Sequence, residues 1–195
     1  MNKQRLEAFS DGVIAILITI MVLELRAPHG ATLAALRPLL PTFLAYVLSF
    51  VYLGIYWNNH HHLLHATTSV SGGVLWANLH LLFWLSLVPF ATSWVGENPL
   101  ALPTALYGTV LLLAGFAYFI LLTLIVRHEG GQSPLARVVG PDVKGKASLA
   151  IYAAGIALSF VRPWLGEAMY VAVAATWLVP DRRMERVAGV GRHPE

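Results

Sequence analysis

Long apolar runs alternate with short polar segments along almost the whole chain. Three of the runs contain no formal charge, and they cover residues 39–57, 74–95 and 100–126. A helix needs about 20 predominantly apolar residues to cross the hydrocarbon core of a bilayer. Each run therefore predicts one membrane-spanning helix, and Pro89 is expected to bend the helix over 74–95.

A fourth apolar segment, residues 147–179, is too long for one crossing. The sequence Arg162-Pro163-Trp164-Leu165-Gly166-Glu167 interrupts it. Proline ends helices and glycine loosens them, so the segment predicts a hairpin of two short spans. We place these spans near 147–161 and 164–179.

The first apolar run, residues 12–23, is short and lies between Asp11 and Glu24. Its hydropathy alone also allows the core of a signal peptide. The polar residues directly before the run make a poor start for such a core, and no clean small-residue cleavage site follows it. A span near 9–25 with polar residues in its first turn fits better, and it brings the predicted total to six.

Composition supports a membrane protein. Hydrophobic residues make up 57% of the 195 residues and charged residues only 12%, whereas soluble domains carry about 25% charged residues. The chain has no cysteine, which excludes disulfides and thiolate metal sites. The net charge of +3 comes from basic residues in short segments between apolar runs, so the membrane explains them better than a nucleic-acid partner does.

The distribution of lysine and arginine predicts the orientation. With the N-terminus inside, the inside segments hold ten basic residues, none of them in the predicted loop 58–73, and the outside segments hold three. The inside residues are Lys3, Arg5, Arg127, Arg137, Lys144, Lys146, Arg182, Arg183, Arg186 and Arg192, and the outside ones are Arg26, Arg37 and Arg162. The predicted fold class is therefore all-α: an integral membrane bundle of six helices over residues 1–180, with both termini cytoplasmic and a cytoplasmic tail over 181–195.

Five apolar residues of the first span recur at steps of four, three, four and three, so they form one narrow stripe on a helix. They are Phe9, Val13, Ile16, Ile20 and Leu23, with Gly12 and Thr19 at the border. Such a stripe most often packs against neighbouring helices. It can also line a pore, because narrow rings of isoleucine or leucine stop ion flow by expelling water. The pattern alone leaves both interpretations open.

Four histidines follow the second span within six residues: His60, His61, His62 and His65. Imidazole is a common metal ligand, which allows the alternative hypothesis of a membrane enzyme or metal transporter. No carboxylate lies nearby in sequence, and no second comparable cluster exists. Polar residues that bond to other helices are the more common interpretation. Asp11 is a candidate partner, since a carboxylate near membrane depth usually has one.

Three motifs resemble those of the transmembrane protein 175 family, the endosomal and lysosomal potassium channels and their bacterial relatives. Arg5-Leu6-Glu7-Ala8-Phe9-Ser10-Asp11 resembles the RxxxFSD signature that opens the family's first helix. Trp57-Asn58-Asn59-His60-His61 is similar to the motif at the end of its second helix. Asn78-Leu79 followed by Pro89-Phe90 is similar to its third-helix pattern. The six-span length and order also agree.

The resemblance implies a potassium-permeable channel without enzymatic activity, cofactor or bound metal. It implies a homotetramer in the bacterial inner membrane, with the lipid bilayer and potassium or other monovalent cations as its partners. The first helix would line the pore, and a TVGYG filter would be absent. The constriction would fall on Ile16, further hydrophobic rings on Ile20 and Leu23, and the threonine of potassium preference on Thr19.

The resemblance also implies a network of hydrogen bonds that holds the first helix in place. Its members would be Arg5, Phe9, Ser10, Asp11, Trp57, Asn59, His60 and His61. His62 departs from the family, because a basic residue is common at that position in relatives. It is therefore open which histidine partners the first-helix motif.

Overall fold

The computed structural model of the protein describes residues 3–130, 133, 136 and 142–178. Within these residues the fold is all-helical and has no strand, which confirms the all-α part of the predicted fold class. We label the α-helices α1 (Lys3–Met21), α2 (Leu40–His65), α3 (Gly72–Ser86), α4 (Val88–Glu97), α5 (Ala101–Glu129), α6 (Val143–Ser159) and α7 (Pro163–Leu178). Two 3₁₀ segments, Val22–Glu24 and Leu33–Leu39, follow α1 and precede α2.

Four helical stretches of the described chain are long and apolar enough to cross a membrane: Lys3–Glu24, Leu33–His65, Gly72–Glu97 and Ala101–Glu129. The last two helices are shorter, with 17 residues in α6 and 16 in α7. At a rise of 1.5 Å per residue, each is about 25 Å long.

Several helices extend beyond the apolar runs that predict them. The loop predicted over 58–73 is wrong in its length, because α2 continues to His65 and α3 begins at Gly72. A helix ends where its backbone hydrogen bonds end, and polar side chains do not interrupt them. The apolar run therefore marks only the middle of the helix.

The third of these apolar stretches, Gly72–Glu97, is broken at Leu87, between α3 and α4. Pro89 has no backbone N–H, so the hydrogen bond that it would donate four residues back is missing. The backbone makes a tighter turn instead, in which the Leu87 amide donates to the carbonyl three residues back, that of Trp84, at 3.2 Å. The Ala91 amide then donates to the Leu87 carbonyl at 3.0 Å, and the helix resumes.

The bundle is arranged around α5, which packs against α3, α4, α6 and α7. The pair α6 and α7 forms a helical hairpin, and α2 packs against α4 and α7. The first helix lies at one edge of the bundle, where it contacts α2, α3 and α4. One side of α1 is therefore covered by the rest of the chain and the other side is open.

Close helix packing depends on small residues around Tyr170. A side chain at Gly108 on α5 or Gly155 on α6 would overlap the Tyr170 ring. The Tyr170 hydroxyl donates to the Thr104 carbonyl at 3.3 Å, and Tyr52 on α2 donates to the Tyr170 carbonyl. One buried tyrosine thus joins four helices.

Some predicted features lie outside the described residues. They are the tail 181–195, the end of the last predicted span at Val179, and the basic residues Arg137, Arg182, Arg183, Arg186 and Arg192.

Candidate pore helix and its anchor on the second helix

The first helix has one buried face and one open face. The buried face carries five side chains with at most 6% exposure: Leu6, Ser10, Ile14, Leu17 and Met21. The open face carries four residues of the predicted stripe, with exposed fractions of 52% for Phe9, 59% for Ile16, 38% for Ile20 and 77% for Leu23. Only Val13 of the stripe packs against the core. The core of the bundle therefore leaves most of the stripe uncovered.

Thr19 lies on the same open side as Ile16, one turn further along the helix. Its hydroxyl donates to the Ile16 carbonyl at 2.9 Å, so the hydroxyl hydrogen is used within the helix. The hydroxyl oxygen keeps its lone pairs. An exposed oxygen that can only accept is suited to contact a cation rather than an anion.

A ladder of three polar contacts joins the first half of α1 to the last two turns of α2. The contacts run from Lys3 Nζ to the His65 carbonyl oxygen (2.7 Å), from Glu7 Oε1 to His61 Nδ1 (3.3 Å) and from Asp11 Oδ1 to Trp57 Nε1 (3.1 Å). Each step of four residues forward on α1 matches a step of four residues back on α2. Four residues make about one helical turn, so the ladder fixes an antiparallel register between the two helices.

The α2 side of this ladder is an aromatic column. The ring of His61 stacks on Trp57 and on His65, with ring centroids 6.1 Å apart in both pairs. His62 meets His61 edge to face, with centroids 5.7 Å apart. Stacking orients the His61 ring so that Nδ1 faces the Glu7 carboxylate.

A second, buried connection runs through α3. Asn78 Nδ2 donates to Ser10 Oγ at 2.9 Å, and Ser10 Oγ donates to the Leu6 carbonyl at 2.9 Å. The Asn78 side-chain oxygen lies 2.7 Å from His60 Nε2. The Asn78 NH₂ group donates to Ser10, so the atom that faces His60 is the Asn78 side-chain oxygen, which can only accept. His60 Nε2 must therefore be the donor, and the network assigns the ring proton to Nε2. Ser10, His60 and Asn78 have no exposed surface.

The other ring nitrogen of His60, Nδ1, is buried and has no hydrogen-bond partner among the described residues. A proton on Nδ1 would add a buried N–H without an acceptor, which is costly. The network therefore fits the neutral ring.

At its far end α1 is held by a different contact. Glu24, in the 3₁₀ segment after α1, accepts a hydrogen bond of 3.1 Å from Ser93 Oγ on α4. The first helix is thus tied to the rest of the bundle at both ends, while the exposed face between them carries Ile16 and Ile20.

The sequence-predicted network residues divide into two groups. Ser10, Asp11, Trp57, His60 and His61 join α1 to α2 and α3. The remaining three predicted members do not take part among the described residues. Arg5 is exposed and has no hydrogen bond or ion pair there, Phe9 lies on the open face, and Asn59 uses its amide on the Ile55 carbonyl at 2.8 Å.

The histidine partner of Asp11 is absent from the described contacts, because Trp57 occupies that position. His60 reaches the motif through Asn78, and His61 pairs with Glu7. Sequence reasoning did not assign Glu7 or Lys3 to the network. The sequence does contain a signal for this pairing. Lys3, Glu7 and Asp11 recur at steps of four on the first helix, and their partners at positions 57, 61 and 65 recur at the same steps on the second helix.

The histidine cluster does not converge on one point. His60 is buried toward α3, whereas His61 and His65 stack along the α1 side of α2. No group of three or more His, Cys, Asp or Glu side chains in the described part of the chain could hold a metal ion. The geometry of these residues gives the metal-site hypothesis no support.

Comparison with known proteins identifies the family. The family model described as endosomal/lysosomal potassium channel TMEM175 matches residues 5–89, which hold α1, α2 and α3. A protein named as a potassium channel from Chryseobacterium sp. (strain P1-3) is 53% identical over 187 residues, which cover 95% of this chain and 97% of that protein. A protein of Gallus gallus named as the endosomal/lysosomal proton channel TMEM175 is 34% identical over 109 residues, 50% of this chain and 22% of that protein.

A solved structure agrees in fold. The crystal structure of a lysosomal potassium-selective channel TMEM175 homolog from Chamaesiphon minutus superposes with a TM-score of 0.80 over 92% of this chain and 97% of that chain, at 24% identity. The matched relatives are named as channels rather than enzymes. This chain is thus a multi-pass membrane protein of bacterial type, and it belongs to the TMEM175 channel family.

Proposed function

We propose that the chain is one subunit of a homotetrameric, potassium-permeable cation channel whose pore is lined by α1. The observation that carries the proposal is the open face of α1, where Ile16 is 59% exposed although the opposite face is packed. Symmetric association of subunits around this face would cover it and repeat each side chain around an axis. The bacterial relative named as a potassium channel supports the choice of cation.

Ile16 forms the constriction in this proposal, with Ile20 and Leu23 as further hydrophobic rings. Narrow apolar rings control conduction by excluding water when they close. Thr19 supplies the preference for potassium in this proposal, as the resemblance to the family implies, and its hydroxyl oxygen has lone pairs free to contact a cation. The anchor ladder and the Ser10–Asn78–His60 network hold the helix that carries these residues.

The proposed topology has six crossings, formed by α1, α2, the bent pair α3–α4, α5, α6 and α7, with both termini in the cytoplasm. The cytoplasmic end contains the anchor ladder. It also holds the end of α5, since the Thr68 amide after α2 donates to Glu129 at 2.7 Å. Lys3, Lys144 and Lys146 lie at or near helix ends on this side, in keeping with the positive-inside rule.

Potassium flux into liposomes that hold the purified protein tests the proposal. Ile16→Ala is compared with Leu44→Ala, a control on α2 whose wild-type side chain is 63% exposed against 59% for Ile16. We expect flux in the wild type, a higher flux in Ile16→Ala and no change in Leu44→Ala. A wild type without flux contradicts the channel function, and equal flux in all three proteins contradicts a constriction at Ile16.

A further inference from the structure

A long groove runs along the bundle between α2 and α7. It has a volume of about 660 Å³ and is partly open to the surroundings. Residues of α2 and α7 form its walls, and the buried Val95 of α4 and Tyr107 of α5 also line it. No residue of α1 is among the described residues that line the groove. The groove therefore lies apart from the proposed pore.

The walls of the groove are apolar and accessible. Its large apolar side chains with at least 40% exposure are Leu40, Leu44, Val47, Val171 and Leu178. The two tyrosine hydroxyls of the lining are used within the protein. Tyr107 lies 2.9 Å from Ser49 Oγ, and Tyr170 donates to the Thr104 carbonyl at 3.3 Å. An occupant of the groove thus meets hydrocarbon along almost all of its length.

The dimensions of the groove match one acyl chain. The α2 wall extends from Leu40 to Val51 and the α7 wall from Glu167 to Leu178. Each wall is about 16 Å long at a rise of 1.5 Å per residue, and one leaflet contributes about 15 Å to the hydrocarbon core. A cavity of about 150 Å³ accepts a benzene molecule. A groove of about 660 Å³ therefore has room for well over a dozen carbon atoms.

One charged side chain interrupts the apolar lining. Glu167 lies one turn into α7, and its carboxylate has no hydrogen bond or ion pair in the part of the chain that the structure describes. Trp164, three residues earlier, is 63% exposed. Exposed tryptophans of membrane helices lie at the level of the lipid headgroups. Glu167 is therefore near the boundary between headgroups and acyl chains, where a carboxylate usually has a partner.

We propose that the groove binds one phospholipid of the outer leaflet, with an acyl chain between α2 and α7 and an ammonium headgroup at Glu167. Phosphatidylethanolamine has this headgroup, whose N–H groups donate to a carboxylate. Its phosphate matches the exposed Arg37 and Arg162, which precede α2 and α7 at the same end of the groove. The choice of leaflet rests on the topology proposed above, whereas the groove and its carboxylate do not.

The test follows photocrosslinking in proteoliposomes that hold the purified full-length protein. The host lipid is phosphatidylglycerol, and a trace lipid carries a photoactivatable diazirine in its acyl chain. The trace lipid is phosphatidylethanolamine or phosphatidylglycerol with identical chains, so only the headgroup differs. The net charge of +3 favours the anionic lipid, so a preference for phosphatidylethanolamine must come from a local site. Peptide mass spectrometry locates and quantifies the adducts.

We expect adducts on the residues of α2 and α7 that line the groove. Their yield should be about three- to fivefold higher for phosphatidylethanolamine than for phosphatidylglycerol, which is the factor expected from one partly exposed ion pair. Equal yields of the two lipids at the groove would overturn the proposal. Adducts spread evenly over the exposed faces of all helices would overturn it as well.

Variants separate the headgroup contact from the acyl-chain contact. Glu167→Gln removes the charge, so the ratio of the two lipids should fall to about one. Ala175→Trp fills the groove and should abolish the adducts of both lipids there. Ala172→Trp is the matched control, because Ala172 is exposed on the same helix as Ala175 but does not line the groove. A wild-type ratio in Glu167→Gln or wild-type yields in Ala175→Trp would contradict the proposal.

A second copy of the chain is the other occupant that an apolar groove in a membrane admits. In that case the wild type would give no groove adducts with either lipid, and Ala175→Trp would change the oligomeric state seen by gel filtration. This result would overturn the lipid site. The measurement does not use ion flux, so the two proposals fail separately. A protein without potassium flux that prefers phosphatidylethanolamine retains the lipid site, and a conducting protein without groove adducts loses it.

Discussion

His60 on α2 and Asn78 on α3 share a hydrogen bond of 2.7 Å, and neither side chain has any exposed surface. The same Asn78 donates to Ser10 on α1. The side-chain amide of Asn78 therefore connects three helices, because its oxygen accepts from one neighbour and its NH₂ group donates to the other. A buried network of this kind is costly to break, because each group left behind loses its partner without gaining water.

Replacing Asn78 with leucine tests this network. His60 Nε2–H would remain buried without an acceptor, and an unpaired buried donor costs about 1–3 kcal/mol. We expect a clear decrease in the thermal unfolding midpoint in detergent. Ser86→Ala is the control, because Ser86 is exposed and bonds only to the Phe83 carbonyl of its own helix. If Asn78→Leu unfolded at the same midpoint as Ser86→Ala, the buried network would not contribute to the stability of the protein.

The contact between His61 and Glu7 in the anchor ladder should contribute far less. The side chains of His61 and Glu7 are 43% and 21% exposed, and exposed pairs stabilise proteins by about 0–1 kcal/mol. We expect Glu7→Gln to lower the unfolding midpoint only slightly. When the buffer is acidic enough to protonate His61, the contact is an ion pair, and the loss should be smaller at high salt, where charges are screened. The measurement is the midpoint at low and high salt beside Asn78→Leu. A loss as large as that of Asn78→Leu would mean that the ladder, not the buried network, holds α1.

The sequence was sufficient to locate the helices but not their ends or their open faces. Uncharged apolar runs predicted the long helices, and Pro89 predicted a bend where the structure has a break at Leu87. The first helix is apolar on both sides, with Ile14 and Leu17 buried and Ile16 and Ile20 exposed. Periodicity cannot distinguish these faces, because only the packing of the other helices decides which one is covered.

The histidines illustrate the same limit. His60 and His61 are neighbours in sequence, but one residue turns an α-helix by about 100°. One ring is therefore buried against Asn78 while the other faces Glu7. The partner Asn78 lies 18 residues away, on a different helix.

Thr19 provides a test of cation preference. Its hydroxyl oxygen is the feature that the proposed pore uses, so Thr19→Ser should retain the potassium preference and Thr19→Val, which keeps the shape, should reduce it. Loss of one such contact of about 0.5–1.5 kcal/mol changes a ratio by about two- to tenfold. Reversal potentials with potassium and sodium on opposite sides of the membrane measure the ratio. Identical ratios in Thr19→Val and the wild type would assign selectivity to other groups.

The six-crossing topology predicts which side of the membrane each end of the α6–α7 hairpin faces. Lys146 near the start of α6 and Arg162 just before α7 are both exposed and lie at opposite ends of α6. The chain has no cysteine, so Lys146→Cys and Arg162→Cys each introduce a single reactive thiol.

A membrane-impermeant maleimide applied to intact cells should label Arg162→Cys at once, because this turn faces outward in the proposed topology. Lys146→Cys should react only after the membrane is made permeable, since the start of α6 shares a pocket with Asn59 near the end of α2, which faces the cytoplasm in the proposed topology. The unlabelled wild type is the control for other reactive groups. The opposite pattern would place both termini outside, and labelling of both variants in intact cells would mean that α6 does not cross the membrane.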